Sequence, residues 1–202
     1  MRKSIVICIS GLAGSGKSTV AKKLAEKHKL KYYSGGEVLK ALATEEGYQP
    51  AEQGFWESQE GMRFLEERSK DMKLDESVDK KLLKFAAKGD AILDSWTMPW
   101  LLKKGFKIWL NATARKRAER VAQRDGITVK EALQALTMKE ARTRSIYWKL
   151  YRFKLGDDFT PFQLILDTDQ LTAEEVFTTL SKAIENMVLK EDINDCCVKG
   201  NK

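Results

Sequence analysis

The chain is 202 residues long, carries a formal net charge of +7, and is 43% hydrophobic and 32% charged, enough for one respectable core with room for an inserted lobe. It has no evident repeat and no apolar run near the ~20 residues of a membrane helix, and Cys8, Cys196 and Cys197 lack metal-ligand spacing, which argues for a soluble protein of the reducing cytoplasm over a membrane helix or disulfide framework. A single histidine, His28, read as a surface residue on a lysine-rich helix end, leaves little from which to build a Ser-His-Asp triad or a histidine metal cluster.

Met1-Arg2-Lys3 superficially mimics the start of a signal peptide, but the apolar run extends only from Ile5 to Ile9, and "SIVICIS" predicts a β-strand over 4–9. "GLAGSGKS", Gly11 to Ser18, then satisfies G-x-x-x-x-G-K-[ST] at every defining position, and the spacing of Val20, Leu24 and Lys27 or His28 predicts a helix over 17–28. Strand, glycine loop and helix thus follow in the order that lets backbone N–H groups and a helix N-terminus surround phosphate oxygens. Gly11, Leu12, Ala13, Gly14, Ser15, Gly16, Lys17, Ser18 and Thr19 are the predicted nucleotide-binding residues, with Lys17 reaching the β- and γ-phosphates and Ser18 ligating Mg²⁺.

The remaining elements alternate: strand 31–33, helix 36–46, a polar helical region 56–88, strands 90–93 and 106–110, helices 113–124 and 128–152, strand 163–167 and helix 172–188. This order predicts an α/β fold, a parallel sheet covered by helices on both faces with ligands at the carboxyl ends of its strands. About 55 residues separate the second and third strands, more than a plain crossover needs, and they predict a small helical lobe over the site. Within it Trp56 either lines the lobe or anchors a short helix. "DTDQLTAEE" predicts Thr172 as a helix N-cap with Glu175 three residues on.

Residues 103–154 hold 15 Lys/Arg against 4 Asp/Glu, while the rest of the chain is net acidic. That bias suits either an anionic ligand or a solvated helical surface. Arg117, Arg120, Arg124, Arg142 and Arg144 fall on consecutive helices joined at Asp125-Gly126, a segment able to close over a triphosphate, exclude water and neutralise charge. Arg120 and Arg124 share a helix face at i, i+4 and are the predicted catalytic arginines; Arg142 is a predicted substrate-binding residue.

Through "ISGLAGSGKSTVAKKLAEKHKLKYYSGGEVLK", "KIWLNATARKRAERVAQRDGITVKEAL" and "LILDTDQLTAEEVF" the chain resembles the nucleoside monophosphate kinases, most closely the archaeal-type cytidylate kinases, from residue 4 to about 186. The resemblance implies a P-loop kinase with a five-stranded parallel sheet flanked by helices. It implies one domain over 1–190, with a core of 1–33 and 89–190, an inserted helical acceptor-binding lobe over about 34–88 and a short lid at about 120–150. Residues 191–202 are expected to be a flexible tail, and the protein a cytoplasmic monomer. The resemblance further implies Mg-ATP as donor and CMP or dCMP as acceptor. Ser34 and Gly36 would lie beside the acceptor nucleotide, and Lys40 stands where such kinases carry an arginine for its phosphate.

"AILD" ends the third strand in Asp94, matching the second carboxylate of P-loop enzymes, which holds Mg²⁺ directly or through water. Similar kinases continue with Gly-Arg, the arginine gripping the acceptor phosphate, whereas this chain has Ser95-Trp96. An indole cannot copy the bidentate contacts of a guanidinium, but Trp96 can stack on a base or ribose, donate one N–H bond, or pack with Trp100 beneath the lobe. Three readings follow. The first is a pyrimidine monophosphate kinase in which Lys40 with Arg63 or Arg68 replaces the missing arginine. The second is a P-loop kinase acting on a hydroxyl of a nucleoside, RNA end or small metabolite, with Asp94 as general base. The third is a non-enzymatic, nucleotide-dependent nucleic-acid-binding protein that uses the basic segment.

Overall fold

Val6–Ser10 (β1), Lys31–Ser34 (β2), Ala91–Asp94 (β3), Phe106–Asn111 (β4) and Leu164–Asp167 (β5) pair in the order β2-β3-β1-β4-β5, every pair parallel. The computed structural model describes residues 4–50 and 54–189; residues 1–3, the expected tail 191–202 and its Cys196 and Cys197 lie outside the described residues. Parallel strands need helical crossovers, which cover both faces of the sheet, so the central strands are apolar on both sides. Ile7, Cys8 and Ile9 of β1 and all four residues of β3 are buried.

On one face Val20 and Leu24 of α1 (Lys17–His28) and Val176, Leu180 and Ile184 of α8 (Ala173–Ile184) pack on Ile7, Ile9, Ile92 and Ile108. On the other, Cys8 and Leu93 meet Leu39 of α2 (Gly35–Glu45), Phe64 of α3 (Gln59–Arg68) and Leu82 of α4 (Lys73–Lys88). The alternation of side chains along each strand sends neighbouring residues to these two layers. A third cluster joins Ala118, Val121 and Ala122 of α6 (Ala114–Asp125) to Ala132 and Leu136 of α7 (Val129–Tyr151), beside Ala13 of the glycine loop.

Expected element bounds hold to within a residue or two, with three differences. The polar region 56–88 resolves into a 3₁₀ turn at Phe55–Glu57 followed by α3 and α4. A short α5, Met98–Leu101 with Pro99 in its first turn, follows β3; four residues are too few to show a period. The last helix stops at Ile184 and continues as a wide turn over Glu185–Leu189. The expected Thr172 and Glu175 capping box is present, and Thr128 with Glu131 forms another at the start of α7. His28, expected at the surface, is half-buried, its ring sharing a hydrogen bond with Ser181 at 3.1 Å. Among the described residues no helix is long and apolar enough to cross a membrane.

The connection after β1 leads to the β2 side of the sheet, whereas that after β3 crosses to β4. Neighbouring strands whose connections diverge leave a crevice at their carboxyl ends. In register, Asp94 lies opposite Ile9 on one side and Ser34 on the other, so the ends of β1, β2 and β3 open onto that crevice.

Candidate active site

The loop between β1 and α1 has a backbone that only its glycines make comfortable. Gly14 has φ 81°, and a Cβ there would stand 2.7 Å from the Arg117 carbonyl oxygen; Gly16, at φ 88°, is the left-handed residue from which α1 starts. Lys17, the first residue of α1, donates from Nζ to the Leu12 carbonyl at 3.4 Å, across the loop. Removal from water pushes the Lys17 ammonium below the ordinary lysine range; Asp94 opposes that shift, and Arg117 reinforces it. Such a group gains from an arriving anion.

Ser18 and Asp94 meet at the crevice: the serine hydroxyl donates to the carboxylate Oδ2 at 2.5 Å, and Tyr32 of β2 donates to the same oxygen at 3.1 Å. Burial raises the Tyr32 phenol above its ordinary value and the Asp94 charge adds to the effect, so this hydroxyl stays a donor. Ser34, at the end of β2, caps α2 by accepting from the Glu37 N–H at 3.4 Å.

Trp96 turns toward the glycine loop. Its indole N–H donates to the Gly11 carbonyl at 2.6 Å, the Lys17 ammonium lies 5.5 Å from its ring centroid, and Tyr147 packs against it edge-on at 6.5 Å. It is not stacked on Trp100, which packs on Phe153 at 3.9 Å.

A cleft of about 990 Å³ joins these groups. Ala13 to Gly16 of the loop, Lys17 to Thr19 of α1, Ser34, Gly36, Lys40, Asp94, Trp96, Arg120 and Arg124 all line it, whereas Gly11, Leu12, Arg63 and Arg142 do not. Arg63 is exposed on α3 beside Glu67, and Arg142 donates to the Met62 carbonyl at 3.0 Å, bracing α7 on α3. Arg120 donates to the Thr168 hydroxyl at 3.1 Å and to the Ser15 carbonyl at 3.5 Å, while Arg124 pairs with Asp125 at 2.6 Å. Arg117 faces inward, donating to the Ala13 carbonyl at 3.0 Å and pairing with Glu140 of α7.

The sequence reading missed the acidic half of the far wall. Arg68 forks onto Asp75, both side chains nearly inaccessible, and Asp79 accepts from Thr97 and, at 2.7 Å, from the Tyr151 hydroxyl. Burial lifts the Asp79 carboxyl to about 6. A signal was present: Asp75 and Asp79 fall on the same stripe of α4 as Val78, Leu82 and Ala86, and a carboxylate on an apolar stripe demands partners.

The profile of the cytidylate kinase-like family matches residues 6–170. Curated relatives include the cytidylate kinase of Pyrococcus horikoshii, 33% identical with 92% of this chain and 91% of that protein covered. The cytidylate kinase of Methanocaldococcus jannaschii is 32% identical over 91% of this chain and 99% of its own. Among solved structures, shikimate kinase from Bacteroides thetaiotaomicron superposes with a TM-score of 0.57 at 14% identity, covering 91% of this chain and 99% of that one, a likeness of fold. The P-loop, the strand-end carboxylate and the match along most of the sequence converge: this chain belongs to the cytidylate kinase-like family.

Proposed function

We propose that the protein transfers the γ-phosphoryl group of ATP, with Mg²⁺, to the phosphate of a pyrimidine nucleoside monophosphate, converting CMP or dCMP to CDP or dCDP. The observation that carries this reading is the continuity of the cleft. Its walls run from the phosphate-cradling loop past Lys17, Ser18 and Asp94 to Ser34, Gly36, Lys40 and the Arg68–Asp75 pair, giving two anionic ligands one enclosure.

The donor set fits magnesium. Ser18 and Asp94 offer two adjacent hard oxygen groups, and Mg²⁺ in nucleotide sites takes one or two protein oxygens, completing its shell with phosphate oxygens and water. Bound there, the ion would neutralise phosphate charge. Phosphoryl transfer otherwise needs little covalent help from the protein; it needs alignment and positive charge around the migrating group. In this reading Lys17 contacts the β- and γ-phosphates, Arg120 and Arg124 reach them from α6, and residues 120–150 act as a lid over the donor. Residues 34–88 form the acceptor lobe, with Lys40 and Arg68 in place of Arg63 at the acceptor.

A monophosphate oxygen is already ionised and needs no base, which suits an Asp94 carboxylate engaged by two hydroxyl donors. The basic segment also gives less to nucleic acid than its charge implies, because Arg117 is buried against Glu140 and Arg142 is spent on α3. ADP release measured against a panel of nucleoside monophosphates and nucleosides tests the reading. Turnover is expected with CMP and dCMP, and efficient transfer to nucleosides with none to monophosphates would refute it.

A further inference from the structure

We propose that Tyr32 is a positioning residue for the metal, its hydroxyl holding the Asp94 carboxylate in the orientation that presents oxygen to Mg²⁺. The inference rests on the reading above, in which Ser18 and Asp94 face magnesium. Tyr32 does not line the cleft; it reaches the site through Asp94.

Packing does not account for the hydroxyl. Alternation along β2 sends Tyr33 to the layer of α2 and α4, where its ring stacks on Phe85 at 4.0 Å. Tyr32 goes to the opposite layer, where its ring packs against the core of Ile7, Ile9 and Ile92 with the Lys22 ammonium 5.5 Å from its centroid. A phenylalanine would fill the same space. In register Tyr32 stands opposite Ile92, two residues before Asp94, a span of about 7 Å at ~3.3 Å per residue. A serine or threonine is too short to cross it; the phenol crosses it and donates to Oδ2 at 3.1 Å.

Both hydroxyls at the carboxylate act on one oxygen. Ser18 and Tyr32 donate to Oδ2, and no described residue donates to Oδ1. A carboxylate has about four lone-pair sites, so pinning Oδ2 leaves the sites of Oδ1 to a cation or to its water. Ser18 lines the cleft and is itself a ligand in this reading, whereas Tyr32 stands behind the carboxylate, where the cation does not compete for it. Partners of this kind orient a metal ligand before the metal arrives. An aspartate already fixed at one oxygen has less rotational freedom to lose on metal entry, and that saving appears as affinity.

The test compares the full chain as wild type, Tyr32→Phe and Asp94→Asn. Each protein, in excess over ATP and without acceptor, is titrated with Mn²⁺ as the probe for the magnesium site, free ion being counted by electron paramagnetic resonance. ATP affinity is measured separately in EDTA by isothermal titration. Tyr32→Phe is expected to weaken Mn²⁺ binding by ~10-fold or more, the effect of removing a partner that orients a metal ligand, with ATP affinity in EDTA nearly unchanged. A hydroxyl that serves folding alone would lower the thermal midpoint and leave Mn²⁺ affinity as in wild type, and that result overturns the proposal. An equal loss of ATP affinity in EDTA overturns it too. If Tyr32→Phe does not melt cooperatively, Tyr32→Leu takes its place with the same two outcomes. An Asp94→Asn protein that binds Mn²⁺ as wild type does removes the metal assignment and this proposal together; weakened Mn²⁺ binding in Asp94→Asn with none in Tyr32→Phe removes this proposal alone.

Discussion

Glu140→Gln is expected to weaken both the fold and the nucleotide loop, although residue 140 does not line the cleft. The Arg117 and Glu140 side chains are only 6% and 12% exposed, and Glu140 accepts from both terminal nitrogens of the guanidinium. The remaining Arg117 bonds go to the Ala112 carbonyl at 3.2 Å and the Ala13 carbonyl at 3.0 Å, so the same cation braces the loop that receives phosphate. Removing one charge of a buried pair costs about 3–5 kcal/mol, because the other is left uncompensated, and the residual amide oxygen of glutamine places this variant near the lower bound. At roughly 2–4 °C per kcal/mol for a chain of this size, the thermal midpoint should fall by about 6–12 °C. Far-UV circular dichroism melts measure the fall, and ATP titration should show weakened binding. The double variant Arg117→Met/Glu140→Leu removes both charges and should recover most of the midpoint without recovering ATP affinity, since the Ala13 carbonyl then loses its Arg117 donor. A midpoint that drops by less than ~2 °C in Glu140→Gln would refute the reasoning.

Gly14→Ala should abolish measurable ATP binding and lower stability, because the new methyl must occupy a left-handed backbone position 2.7 Å from the Arg117 carbonyl oxygen; isothermal titration with ATP checks it, and near-normal affinity would contradict it. Asp94→Asn should lower kcat by ~100-fold or more while ATP still binds, and retention of full turnover would remove Asp94 from the reaction. Asp79 predicts a pH effect on stability. Its native carboxyl, raised from 3.8 to about 6 by burial against the opposing pull of the Thr97 and Tyr151 hydrogen bonds, holds its proton more tightly than the unfolded chain does. That contribution is complete below the unfolded value and is lost as pH rises from about 4 through 6, a change of roughly 2–3 kcal/mol at most. Asp79→Asn should flatten the thermal midpoint across that interval, and an unchanged slope would show that other groups govern it.

What could be read from the sequence divides along a physical line. The glycine loop is contiguous, and its chemistry depends on backbone geometry set within a few residues; Asp94 is legible because it ends an apolar run. Arg117 illustrates the opposite case. Helical spacing places Arg120 and Arg124 together, and both line the cleft, but Arg117 lies next to the Ala118, Val121 and Ala122 stripe and is drawn into the interior. Its partner is 23 residues away on another helix, so no local pattern announces the pair. The same holds for Trp96, whose neighbours are Gly11, Lys17, Tyr147 and Lys139, brought together only by the assembled sheet and α7. Arg63 and Arg68 are indistinguishable by composition, yet α3 buries one against Asp75 and leaves the other on its outer face.

The charge of the 103–154 segment shows why counting cannot locate a field. All four of its acidic residues are used locally: Glu119 pairs with Arg115, Asp125 with Arg124, Glu140 with Arg117, and Glu131 closes the cap of α7. Three of those pairings involve arginines, so a tally of sequence charges overstates the field of the segment. Among the cleft-lining lysines, Lys17 and Lys22 each lie beside one aromatic ring and Lys139 beside two. An indole attracts an ammonium through its ring face without carrying an opposing charge of its own. Tryptophan after the strand-end carboxylate is therefore compatible with an anion site: it stands beside the Lys17 ammonium delivered from α1 instead of supplying a charge of its own.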